Sequence, residues 1–138
     1  MTPVDPVNDQ NVEPEYLELW IPKVDEWINL NNRWHWSKER RVAREWRSAG
    51  KLLCLDAKLP RLQRARIDIY VHKSNRTSYD AHNLMATMKP VIDGLVDAGL
   101  LPDDNNNHLT GPIPYRGDVR PAAGLTVRIF PLPAVADA

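Results

Sequence analysis

The chain has one cysteine, Cys54, in 138 residues, which excludes an internal disulfide and fits a reducing compartment. It has no CxxC pair of the kind that holds zinc, no glycine-rich phosphate loop and no Ser-His-Asp arrangement in a recognisable context. No apolar run approaches the roughly 18 residues of a membrane span, and no basic-then-apolar N-terminal pattern marks a secretory signal. Net charge is missing as well, 18 Lys and Arg balancing 18 Asp and Glu. These absences leave a soluble, cytoplasmic single domain as the expectation, with no membrane partner.

What is present is unevenly distributed. Residues 32–76 hold thirteen Lys or Arg against four acids, whereas residues 1–31 hold seven acids and one lysine, Lys23. Cations gathered in one half and carboxylates in another suit a protein that grips a phosphate backbone beside an acidic pocket. A solvated helical face with an acidic tail accounts for the same split.

Residues 1–14, rich in Pro, Asp and Asn, read as a disordered leader; 15–132 read as the folded domain and 133–138 as a flexible tail. Tyr16 to Ile21 reads as a strand stopped by Pro22, and the segment from Ile28 to Trp36 as a loop. Ser37 is the expected N-cap of a helix running to about Leu55, with Val42, Trp46, Ala49 and Leu53 as its buried stripe. Arg64 to His72 alternates as a half-buried strand. Asn83 is the expected cap of a second helix over Leu84 to Ala98, ended by Gly99. Pro90 within it requires a kink, or a short turn ahead of the main helix. A short strand before Tyr115 and a last strand over Ala123 to Phe130 complete the order β-α-β-α-β-β. That order predicts a small α/β domain, a mixed sheet packed with two helices.

Three clusters carry chemistry: Asp80-Ala81-His82-Asn83, then Lys89 with Asp93, then Asp103-Asp104 followed by His108. Carboxylates around a lysine suit a divalent cation that bridges phosphate oxygens while the ammonium offsets transition-state charge. Nuclease chemistry is the first reading. Arg40, Arg44 and Arg47 on the first helix, with Arg33, Trp34, Lys73 and Arg76, are the candidate DNA contacts; solubility and i,i+4 pairing with Glu45 explain the helical arginines equally. Trp34 and Trp36 with His35 suit stacking on unpaired bases, or core packing. Arg116 and Arg120 are phosphate contacts or solubilising charges, His108 an additional ligand or a solvated loop residue, and Cys54 a small buried hydrophobe.

Tyr79-Asp80-Ala81-His82-Asn83-Leu84, Lys89-Pro90-Val91-Ile92-Asp93-Gly94-Leu95 and Ala98-Gly99-Leu100-Leu101-Pro102-Asp103-Asp104 resemble the RusA family of Holliday-junction resolvases. That family's pattern is Asp-x-Asp-Asn, a lysine, Asp-(Ala/Gly)-Leu and an Asp-Asp pair. The resemblance covers about 26 residues closely, and more weakly Asn32 to Trp36 and Trp46-Arg47. It implies a homodimeric, Mg²⁺-dependent endodeoxyribonuclease that cuts four-way junctions in DNA recombination and repair, often phage- or prophage-encoded and nucleoid-associated. Carried over by position, Asp80, Lys89 and Asp104 are the catalytic residues, and Asp80, His82, Asp103 and Asp104 the metal ligands. Asp93 also matches a family position, with a structural role preferred.

Two departures stand out. His82 replaces the second aspartate of Asp-x-Asp-Asn, which suits Mn²⁺ or Zn²⁺ better than Mg²⁺ as ligand chemistry, or gives a base toward a metal-held water, or ends the ligand role. The interval from Asp80 to Lys89 is longer than in the family's best-known members by about one helical turn, which keeps the lysine on the same face. Two rival readings follow: a non-catalytic branched-DNA-binding protein, and a less selective flap or branch nuclease.

Overall fold

A computed structural model describes residues 15–134. The leader expected over 1–14 lies outside the described residues, as does the tail beyond 134. In order come β1 (Leu17–Pro22), α1 (Trp36–Asp56), β2 (Ala65–His72), a 3₁₀ turn (Ala81–Leu84), α2 (Met85–Asp97), β3 (Leu109–Arg116) and β4 (Gly124–Pro131). The chain is thus a small mixed α/β domain, four strands and two helices, as its alternation and helical periodicity predict.

The sheet has the order β1-β4-β2-β3. β4 runs antiparallel to both β1 and β2, while β3 lies parallel to β2 at the edge. Alternation puts Leu19 and Ile21, Ile67, Ile69 and Val71, and Leu125, Val127 and Ile129 into one core with the helices. The other sheet face carries no helix. Its residues are polar and aromatic, yet Asp68, His72 and Thr126 are buried there too. His72 Nε2 lies 2.8 Å from Thr126 Oγ1 and Nδ1 2.9 Å from the Asp118 carbonyl oxygen, so a strand expected to be polar on one side is closed over by its own neighbours.

α1 starts two residues earlier than expected. His35, not Ser37, is the N-cap: its Nδ1 accepts from the Ser37 N–H at 3.1 Å. The fully buried stripe is Val42, Trp46, Gly50 and Cys54; the expected Ala49 and Leu53 are half-buried on its flank. A four-residue step, rather than alternating three and four, turns the contact line along the ridge that meets α2. Gly50 and Gly94 sit at that crossing. A Cβ on Gly50 would stand 2.7 Å from the Val91 carbonyl oxygen, and one on Gly94 would run into the Arg47 carbonyl oxygen. The two helices therefore touch backbone to backbone.

A 3₁₀ turn does precede the main helix, but it does not bring Pro90 into that helix's first turn. Asp80, not Asn83, caps that turn through Oδ1, which accepts from the His82 N–H at 3.0 Å. α2 begins only at Met85, and Pro90 lies inside it, beyond the first turn. It supplies no N–H to the turn before it. Gly99 ends the helix at φ +94°, a conformation that glycine adopts without a Cβ penalty.

Candidate functional site

Lys89 projects from α2 and stays exposed. Its Nζ donates to Asp93 Oδ1 at 2.9 Å, one turn along the same helix, and also to Asp104 Oδ2 in the loop before β3. That loop is held by its own side chains: Asp103 Oδ1 accepts from the Asp104 N–H at 2.7 Å, and Asp103 Oδ2 from Asn105 Nδ2 at 3.2 Å. Two of the three sequence clusters therefore meet through the lysine. The third stands at the start of the 3₁₀ turn, where Asp80 and His82 are exposed.

The same α2 surface faces α1 across a cleft of about 260 Å³ lined by Arg40, Ala43, Arg44, Arg47, Pro90 and Asp93. Asp93 thus belongs both to the arginine cleft and to the lysine cluster. Arg40 and Arg44 face solvent, Arg40 lying 5.5 Å over the ring of Trp36. Arg47 is engaged within the fold, its Nε and Nη2 reaching Asp97 at 2.6 and 2.9 Å. That bidentate bond, aided by the charges of Arg47 and Lys51 and opposed by burial, holds the Asp97 carboxyl below its ordinary value.

The remaining expected contacts lie elsewhere. Trp34 packs partly into the core with Lys38 Nζ 4.2 Å over its ring, so it is held rather than offered; Arg33, Trp36 and Arg76 are exposed. Lys73 lies 4.3 Å over the ring of Tyr79, with Arg116 5.2 Å from the same ring. Burial first, then the charge of Lys23, pushes the Lys73 ammonium below its ordinary value. His108 turns Nδ1 to the Gln63 carbonyl oxygen at 2.9 Å. Cys54 is buried, and burial raises its thiol pKa.

A residue the sequence reading passed over anchors the site's approach. Thr87 is fully buried; its Oγ1 accepts from the Ile28 N–H at 2.7 Å and donates to the Ile28 carbonyl at 2.8 Å. With the Leu30 N–H donating to the Asn83 carbonyl at 2.8 Å, it fastens the segment leading to Arg33 and Trp36 along the start of α2. A β-branched polar residue among apolar helix neighbours was its only sequence signal.

Among the described residues, no three His, Cys, Asp or Glu side chains stand close enough together to hold a metal ion. Asp80, His82, Asp103 and Asp104 thus do not form a ligand set as placed, and Lys89 is what neutralises Asp104. Among those residues no helix is long and apolar enough to cross a membrane. No family model matches the chain, and no curated protein is significantly similar to it.

Proposed function

We propose that this protein is a RusA-like endodeoxyribonuclease acting on branched DNA, and on four-way junctions in particular, as a homodimer. One observation carries the reading: the Lys89–Asp93–Asp104 cluster shares Asp93 with a cleft walled by Arg40, Arg44 and Arg47. A duplex backbone lying along the exposed arginines of α1 would bring a phosphate to an ammonium that can offset charge developing on it. The twofold symmetry of a dimer would match the pairing of strands at a junction.

Mg²⁺ or Mn²⁺ belongs to the proposal as the group that supplies Lewis-acid chemistry. Asp80, His82, Asp103 and Asp104 are its candidate ligands, although they are not gathered here. That separation favours a second reading, a non-catalytic branched-DNA binder in which the lysine–carboxylate cluster serves only the fold.

The test is cleavage of a labelled synthetic four-way junction in Mg²⁺ and in Mn²⁺, beside Asp104→Asn and Lys89→Met and beside a flap duplex. Symmetric paired nicks lost in both variants, with the flap cut far more slowly, are expected. Equal cutting of flap and junction replaces the resolvase with a less selective nuclease. Tight junction binding without nicks in either metal overturns catalysis and leaves the binder.

A further inference from the structure

The helix-free face of the sheet carries a pattern that neither the fold nor the proposed cleavage site uses. One register row crosses all four strands: Trp20 on β1, Thr126 on β4, Tyr70 on β2 and Tyr115 on β3. Tyr70 and Tyr115 stack at 4.9 Å with 18° between their planes. Tyr115 remains 40 % exposed at the sheet edge and Trp20 36 % at the other. Beside this row opens a cleft of about 270 Å³ whose lining includes Tyr70, Thr126, Asp118 and three arginines, Arg116, Arg120 and Arg128.

Part of this pattern is structural. Arg128 pairs with Glu18 at 3.1 Å and lies 5.0 Å over Tyr70, and Arg120 pairs with Asp118 at 3.2 Å. Such cross-strand pairs stabilise a sheet. They leave Arg116 without a carboxylate partner among the described residues, and they do not account for an exposed aromatic platform at its side. Three arginines against the carboxylates of Asp118 and Glu18 leave the cleft with an excess of positive charge, complementary to a polyanion. The exposed ring of Tyr115, stacked on Tyr70 on one side only, suits a base that is not already stacked in a duplex.

The geometry points to a binding surface for an unpaired nucleic-acid strand on the helix-free sheet face, with a base on the open side of Tyr115 and phosphates at Arg116 and Arg120. Aromatic faces accept any base, and cations beside them follow the backbone, which is how sequence-tolerant single-strand sites are built. Arg116 also lies 5.2 Å from the ring of Tyr79, the residue before Asp80, so the surface leads toward that end of the candidate site. It is separate from the α1 arginines and stands whether or not the protein cleaves DNA.

The experiment is fluorescence anisotropy of labelled dT12 with the full chain in EDTA, beside a 12-base-pair duplex. Both Tyr115 and Arg116 are exposed, and circular dichroism checks that Tyr115→Ala and Arg116→Ala remain folded. Each is expected to weaken dT12 binding about tenfold, the order found for losing one base stack, with duplex binding changed less than twofold. Unchanged dT12 affinity in both variants, or affinity lost only in Arg44→Ala, overturns the proposal. Loss of a dimer in Tyr115→Ala with dT12 binding intact overturns it in favour of a second copy on this face. Should a variant fail to fold, photocrosslinking bromodeoxyuridine to the unaltered protein decides. Adducts at Tyr70 or Tyr115 support the surface; adducts confined to Trp34 and Trp36 refute it.

Discussion

Replacing Gly94 with alanine should weaken the fold, although helix propensity alone says the reverse. In an isolated helix the change gains about 1 kcal/mol. Here the new Cβ would meet the Arg47 carbonyl oxygen and stand 2.8 Å from the Lys51 nitrogen, where ordinary contact begins at 3.4 Å. Both neighbours are backbone, so no rotamer change relieves them. The helices must part by at least about 0.6 Å, and gaps of about 0.5–1 Å forfeit a quarter to a half of each dispersion contact. Overpacking against atoms that cannot turn away belongs just above the usual range of about 1–3 kcal/mol, at about 3–4 kcal/mol. Subtracting the propensity gain leaves a loss of about 2–3 kcal/mol. Urea titration should show a lower midpoint at unchanged slope, and melting should fall by roughly 10 °C at this chain length. A variant as stable as the parent, or more so, would refute the backbone contact between α1 and α2. It would also remove the reason for Arg44 and Arg47 standing opposite Asp93.

Thr87→Val keeps shape and removes both hydrogen bonds to Ile28, leaving a buried N–H and a buried C=O unpaired. A loss of about 2–4 kcal/mol is expected by denaturant titration, with amide exchange rising around Ile28 before the rest of the core. Asp97 has a depressed folded-state pKa, so its contribution is present above its unfolded value near 3.8 and lost as pH falls through the folded one. Asp97→Asn should therefore lower stability at neutral pH and flatten the acid limb of the stability curve below about pH 4. Cys54, buried with a raised thiol pKa, should resist maleimide at pH 7 in the native protein and react at once in urea; fast native labelling would contradict its placement.

The elements that repeat a simple period were legible. β2 and β4 alternate and α1 carries a helical stripe, so their existence and the mixed α/β class follow from pattern alone. Local chemistry was legible only in part. The side-chain cap expected of Asn83 is absent: α2 follows Leu84 without one, and Asp80 instead caps the 3₁₀ turn inserted before it. His35 displaces Ser37 by competition for orphan donors. Tertiary pairings left no trace in spacing: Arg47 with Asp97 is 50 residues apart, and Ile28 with Thr87 is 59. Arg47 therefore read as a free DNA contact when its guanidinium is already bound. At the site, Lys89 and Asp93 were recognisable by their four-residue interval, whereas the meeting of Lys89 with Asp104 depends on how the loop after Gly99 returns.

β4, the last strand in chain order among the described residues, occupies the middle of the sheet between β1 and β2. Glu18 and Arg128, 110 positions apart, are joined across it. During synthesis β1 therefore waits unpaired until Gly124–Pro131 has left the ribosome, and β2 has only β3 beside it. The two helices can dock on each other well before the sheet that supports them is closed. Ordering of the domain thus ends at its centre rather than its periphery. A chain stopped after Arg116 would lack the strand that joins the two halves of the sheet and would expose two hydrogen-bonding edges at once.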